Sequence, residues 1–324
     1  MTERSLPVLV LGFMRFDGIK NILASCKEVG ISHVYLALDG GKDEEAFKFQ
    51  ERALVDLFSH AEAIKIALTV RRRNTNAGLA VGVIEGISWF FENEEFGVIL
   101  EDDLRISSNF FTFIENAREV FAHQSEIALV SGNNYFSDEL NKQVCATHYP
   151  LIWGWATWRD RWDEFLLSLS KPVQLTSKRI PLSVNLFWIT AAFQSRFGLV
   201  DSWAMSFSQY LRSKEGICVL PPQNLVSNFG VDSFAEHSNK NDPFINYPLR
   251  DIPESIDWML PSQADITRYD SKLESFVYGI SQKNILSPLK LLLTLIIKRN
   301  RISLKSKLRT ARQKAEFTIM KGGS

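Results

Sequence analysis

Cysteine is scarce in this chain: three in 324 residues, Cys26, Cys145 and Cys218, an odd number at wide spacing and without a C-x-x-C pair. That excludes a disulfide framework or a zinc knuckle and fits a reducing compartment. An apolar run of the roughly 20 residues that a membrane-crossing helix needs is also missing, since Leu291–Ile297, the apolar centre of the tail, is far too short. Met1–Pro7 lacks the layout of a secretory leader, and the apolar stretch behind it is cut off by Arg15 and Asp17, so a cytosolic protein is expected. Net charge is absent overall, yet unevenly so. Residues 283–324 hold 11 Lys and Arg against one acid, Glu316, which leaves the rest of the chain at −10. The tail is a separate electrostatic object.

What is present is the bulk of an ordinary globular chain, with 45% apolar residues and enough length for one large domain or a domain plus an appendage. Its first half alternates strand and helix patterns. Strands are predicted over 8–13, 33–38, 64–70 and 97–101, and helices over 17–29, 43–60 and 77–91, where Leu79, Val83, Ile87 and Phe90 recur at helical spacing. Such alternation predicts a parallel α/β sheet. Three of the four strands end in polar features: Arg15 with Asp17, Asp39-Gly40-Gly41, and Glu101-Asp102-Asp103. In a parallel sheet these gather along one edge, where a nucleotide can lie across them. A helix over 110–123 and a strand over 127–132 follow.

The acids carry the sharpest signal. Three adjacent carboxylates repel one another unless a cation sits among them, and Mg²⁺ or Mn²⁺, hard ions that take oxygen ligands, is the simplest such cation. The plainer alternative is an acidic turn that caps the next helix. Further on, Tyr149-Pro150-Leu151-Ile152-Trp153-Gly154-Trp155-Ala156-Thr157-Trp158 is followed by Arg159, Arg161 and Trp162. Closely spaced tryptophans are most often core, but their faces also suit the apolar C–H faces of sugar rings. Asp201-Ser202-Trp203 opens a helix-like stretch, and Asn224-Leu225-Val226-Ser227-Asn228-Phe229-Gly230 precedes His237.

Taken in order from about Val8 to His237, these motifs resemble bacterial nucleotide-sugar transferases of the GT-A type. They are also distantly similar to the N-acetylglucosaminyltransferase I family, which shares the Glu-Asp-Asp form of the acidic motif. The resemblance implies a Rossmann-like GT-A mixed sheet flanked by helices, a divalent metal, and glycosyl transfer from a nucleotide-sugar donor, UDP-linked, with inversion. Asp103 would be the metal ligand, Asp102 would lie nearer the ribose and Glu101 would support the pair. Arg15, Asp39, Arg73 and Asn76 fall where the family places nucleotide contacts. Trp153, Gly154, Trp155, Trp158 and Trp203 would hold the acceptor or sugar, and Asp201 would be the general base. Asp160 and Asp163 are weaker choices because Arg159 and Arg161 offer them ion pairs. His237 is a second candidate metal or phosphate ligand.

The expected organisation is a transferase domain over 1–240, with a nucleotide-binding half 1–132 and an acceptor half 133–240. An extension over 241–282 and a basic amphipathic helical tail over 283–324 complete it. The tail, with Lys290, Lys298, Arg299, Arg301 and further cations, suits an anionic membrane surface or a helix packed on the domain with its lysines in water. The acidic main domain argues against nucleic acid as a partner. The expected partners are the donor and a saccharide or lipid-linked saccharide acceptor, in a cytoplasmic protein peripheral to the inner membrane face and serving surface polysaccharide or lipopolysaccharide synthesis. Two rivals stand beside this reading. A sugar nucleotidyltransferase normally carries a Gly-rich, Lys-bearing loop after its first strand, and Gly12-Phe13-Met14-Arg15 is not one. A non-catalytic, membrane-associated saccharide-binding protein would keep the tryptophans without needing the acids.

Overall fold

In a computed structural model, the structure describes residues 6–137, 141–173, 180–230, 245–280 and 317–322. The described residues build a mixed α/β architecture compatible with a Rossmann-like fold. Four parallel strands come first in the chain: β1 (Val8–Gly12), β2 (His33–Leu38), β3 (Ala67–Arg73) and β4 (Phe96–Glu101). Their order in the sheet is 3-2-1-4, so the direction of winding reverses between β1 and β4. Beyond β4 lie β8 (Trp155–Trp158), β6 (Ile127–Ser131), β9 (Ile217–Leu220) and β7 (Cys145–Thr147). Among these, β8 and β7 run antiparallel to their neighbours.

Alternation along the strands sends side chains to two cores. Val8 and Val10 of β1, with Val98 and Leu100 of β4, face α1 (Phe16–Glu28), α2 (Glu44–Ala63) and α4 (Phe110–Phe121). Leu9 and Leu11, with Ile99, face α3 (Leu79–Asn93), α5 (Arg159–Ser168), α6 (Leu182–Arg196) and α7 (Ala204–Ser213). A sheet buried on both faces explains why β1 and β4 read as continuous apolar runs. The helix over α2 begins where sequence expects it, because the Asp43 carboxylate accepts the Ala46 N–H at 2.8 Å.

Beside the acids a small ribbon forms: β5 (Leu104–Ile106) pairs antiparallel with β10 (Val226–Asn228), with Leu104 opposite Asn228. Strands of three residues are too short to show a period in sequence.

The C-terminal third departs from the expected organisation in two ways. The described part of the 241–282 extension is not an appendage. Trp258 stacks on Phe113 with ring centres 5.4 Å apart, and α8 (Gln263–Phe276) sends Tyr269 and Leu273 into the second core. Its buried acids Asp270 and Glu274 meet Arg212 of α7, while Asp270 also accepts from His148 at 2.7 Å. The end of the tail, expected to be helical, is a strand. β11 (Phe317–Gly322) pairs antiparallel with β3 and becomes the terminal strand on that side of the sheet. The apolar tail segment 288–301 lies outside the described residues, and no described helix is long and apolar enough to cross a membrane.

Candidate active site at the carboxyl ends of β1 and β4

Open α/β sheets bind ligands beyond the carboxyl ends of their strands, at the point where the winding reverses. Here that point is occupied by Arg15, three residues past β1, and by Glu101-Asp102-Asp103 at the end of β4. The cation among the acids is a guanidinium: Arg15 Nη1 lies 3.2 Å from Asp102 Oδ1 and 3.5 Å from Asp103 Oδ2. Asp102 is buried, and its other oxygen accepts the Phe13 backbone N–H at 2.8 Å. The acids therefore bind the β1 and β4 ends together rather than capping the helix that follows.

One guanidinium does not balance three carboxylates. Burial, then the charges of Asp103 and Asp102, push the Glu101 carboxyl up to about 8, against the pull of Arg15. Burial and the Asp102 charge likewise raise Asp103 to about 6. Asp102 is raised by burial too, offset by the Phe13 N–H and Arg15.

Two glycines shape this cluster. A Cβ on Gly18, in the first turn of α1, would run into the Asp102 carbonyl oxygen, so α1 approaches β4 as closely as it does only with glycine there. A Cβ on Gly230 would run into Asp103 Oδ2. Gly230 belongs to the Asn224–Gly230 motif, which β10 delivers to the acids: Asn228 Nδ2 donates to Asp103 Oδ1 at 3.3 Å, and Gly230 N–H donates to Asn228 Oδ1 at 2.7 Å. Asn228 thus touches the expected metal ligand directly, a role sequence reasoning missed. Its signal was its place in a motif already singled out.

The remaining expected nucleotide contacts have other work. Asp39 accepts N–H bonds from Gly40, Ala77 and Gly78 at 2.9–3.1 Å and lies 3.4 Å from Arg73 Nε. Burial pushes its carboxyl up to about 6 in spite of these donors. With that many partners Asp39 is a brace for the start of α3, not an open acceptor for a base N–H. Arg73 is buried and ion-paired with Glu85 of α3, which removes it as a clamp reaching out to phosphate. Asn76 is exposed, and its amide donates to Gly40 O at 2.9 Å, joining the loops after β2 and β3.

The tryptophans are corrected most clearly. Trp155 and Trp203 are 1% and 3% exposed and stack on each other 5.9 Å apart, while Trp158, 8% exposed, packs on Phe96. They are core, not exposed faces on which a ring could stack. Gly154 has φ +63° and a Cβ there would come within 2.7 Å of Val226, so its role is close packing. Trp153 is half-buried against Tyr135. It precedes Trp155, which pairs with Ile99, and so lies at the same end of the sheet as Glu101.

Asp201 serves as a helix cap. Its Oδ2 accepts the Leu79 N–H at 2.9 Å and its Oδ1 the Ala80 N–H at 3.1 Å, so it caps α3 from 122 residues away. Asp201 satisfies the first two N–H groups of α3, and Asp39 those of Ala77 and Gly78 just before it. Of the weaker choices, Asp160 pairs with Arg161 at 3.4 Å, as its neighbours suggested. His237 lies outside the described residues.

Among the described residues no group of three or more His, Cys, Asp and Glu side chains converges as a metal-holding cluster. No protein-family model matches the chain, and no curated protein matches it in sequence.

Proposed function

We propose that the protein is a metal-dependent glycosyltransferase of the GT-A type. It would transfer a sugar, with inversion, from a UDP-linked donor to a saccharide or lipid-linked saccharide acceptor, in surface polysaccharide synthesis at the cytoplasmic membrane face. One observation carries the reading: an all-oxygen, over-charged acidic cluster stands at the winding reversal between β1 and β4.

The residues fit a hard divalent cation in two respects. Their donor set is carboxylate oxygen, and their protons are held by burial first and then by the repulsion of neighbouring carboxylate charges, a repulsion that a cation would relieve. Gly230 also leaves the space beside Asp103 Oδ2 that any side chain would fill. A cation there would draw its other oxygens from a diphosphate, as nucleotide-bound Mg²⁺ does. When bound it supplies Lewis-acid stabilisation of the departing diphosphate.

This chain's own residues do the rest. Asp103 would hold the cation, Asn228 orients the Asp103 carboxylate, and Arg15 bridges Asp102 and Asp103 and pulls against the burial that raises them. Gly18 sets the depth of the floor by letting α1 close on Asp102. The burial of Trp155, Trp158 and Trp203 weighs against a saccharide-binding protein that uses the tryptophan loop.

The test is release of nucleoside diphosphate from a panel of sugar nucleotides with Mn²⁺ and a saccharide acceptor panel. Turnover is expected with at least one donor, and Asp103→Ala is expected to lower kcat at least a hundredfold. No turnover with any donor, or full activity in Asp103→Ala, would overturn the proposal.

A further inference from the structure

A cavity of about 460 Å³ opens among α5, α6 and α7, lined in part by Glu164, Lys171, Arg196, Gln209, Tyr210 and Lys214. It lies away from the acids. Helix α5 leaves the sheet at Trp158, opposite Phe96 at the start of β4, and Lys214 stands just before β9 begins, so the cavity faces the amino ends of the parallel strands.

Its charge is unbalanced. Glu164 is 3.8 Å from Lys214 and accepts from Tyr210 Oη at 3.0 Å, which leaves Lys171 and Arg196 in excess. Lys214 and Lys171 follow the ends of α7 and α5, where cations complement the helix dipole. Arg196 is different. It is half-buried, and its Nη1 donates to the Lys171 carbonyl at 2.7 Å, while its Nε is buried with no hydrogen-bond partner among the described residues. Burial alone lowers its pKa, with no carboxylate opposing the shift. Residues 174–179, nearby in sequence, contain no Asp or Glu. A desolvated guanidinium with no counter-charge among the described residues is costly to keep unless an anion completes it.

We infer that this cavity is a second ligand site, taking the phosphate of a phosphomonoester through Arg196 with Lys171 and Lys214. The excess of two positive charges matches a phosphate dianion, and guanidinium geometry suits phosphate oxygens. A volume of about 460 Å³ accommodates a small molecule of sugar-phosphate size. The inference does not depend on glycosyl transfer.

The experiment is calorimetric titration of the full chain with glucose 6-phosphate in EDTA, so that no metal recruits phosphate to the acids, at constant ionic strength. Glucose is the uncharged control, and flotation with phosphatidic acid vesicles asks whether a lipid headgroup supplies the phosphate instead. Saturable binding of either phosphate probe is expected. It should be at least tenfold weaker in Arg196→Met, weaker in Lys171→Ala, and unchanged in Asp103→Asn. Lys171→Ala keeps the test open should Arg196→Met fold poorly. Absence of binding to both probes, wild-type affinity in both cavity variants, or loss of binding in Asp103→Asn would each overturn the inference.

Discussion

Arg15 brings one positive charge to three carboxylates, and the consequence is a stability that depends on pH in a predictable direction. Glu101 and Asp103 have folded-state pKa values of about 8 and about 6, above the usual carboxylate range. A carboxyl raised on folding favours the native state while it is protonated, and that contribution is lost as pH rises through the folded value. Metal-free protein should therefore lose thermal stability between about pH 4 and pH 8. Mg²⁺ or Mn²⁺ should restore several degrees of Tm at pH 8 and almost none at pH 5, read by thermal melts with and without EDTA. Glu101→Gln should flatten the metal-free slope. A slope of opposite sign, or equal cation effects at both pH values, would contradict the electrostatics. At the same scale, Gly18→Ala has no room beside the Asp102 carbonyl oxygen. It is expected to destabilise the fold by about 2 kcal/mol, in the range of overpacking, in urea denaturation; wild-type stability would mean α1 yields without cost.

Helix α3 is where the two halves of the sequence meet. Its amino end is held by Asp39 from the β2 end and by Asp201 from the chain before α7, so the chain before α7 is fastened to the parallel half of the sheet. Asp201→Ala should lower stability by about 1–2 kcal/mol, the range of a lost helix cap. Its kcat should stay within about threefold of wild type, whereas loss of a general base costs about a hundredfold or more. The two outcomes separate cap from catalyst in one pair of measurements. Such long-range partnerships mark where sequence reading stopped. The polar strand ends were legible because Glu101, Asp102 and Asp103 are contiguous and directly follow an apolar strand. The partner of Arg73 was not legible, since Glu85 reads as one more charge on a helix until tertiary packing buries it. Trp155, Trp158 and Trp203 were misleading for a different reason: the same spacing serves a core and a sugar platform, and only burial distinguishes them.

Across the whole molecule, the parallel half was legible because its alternation of strand and helix is local and periodic. β5, β7 and β11 were not, because β5 and β7 span three residues each and β11 sits inside a segment whose composition suggested a basic helix. β11 now gives a prediction at this scale. A chain ending at Glu316 loses the β11–β3 ladder and makes β3, one of the inner parallel strands, the edge, with its freed ladder groups a template for another chain. Sedimentation velocity should show the shortened protein forming larger species than the full-length chain at equal concentration. Identical profiles would mean that the edge is protected in another way.

The pairing of β11 with β3 also sets a timetable. Arg73 and its partner Phe317 are separated by 244 residues. At a synthesis rate of roughly 5–20 residues per second, β3 emerges from the ribosome on the order of ten to fifty seconds before the strand that completes it. In the last part of that interval, once β9 has emerged, the nascent chain holds every strand of the sheet but β11, with β3 at the outer position, and a chaperone that shields strand edges has its natural moment of engagement there.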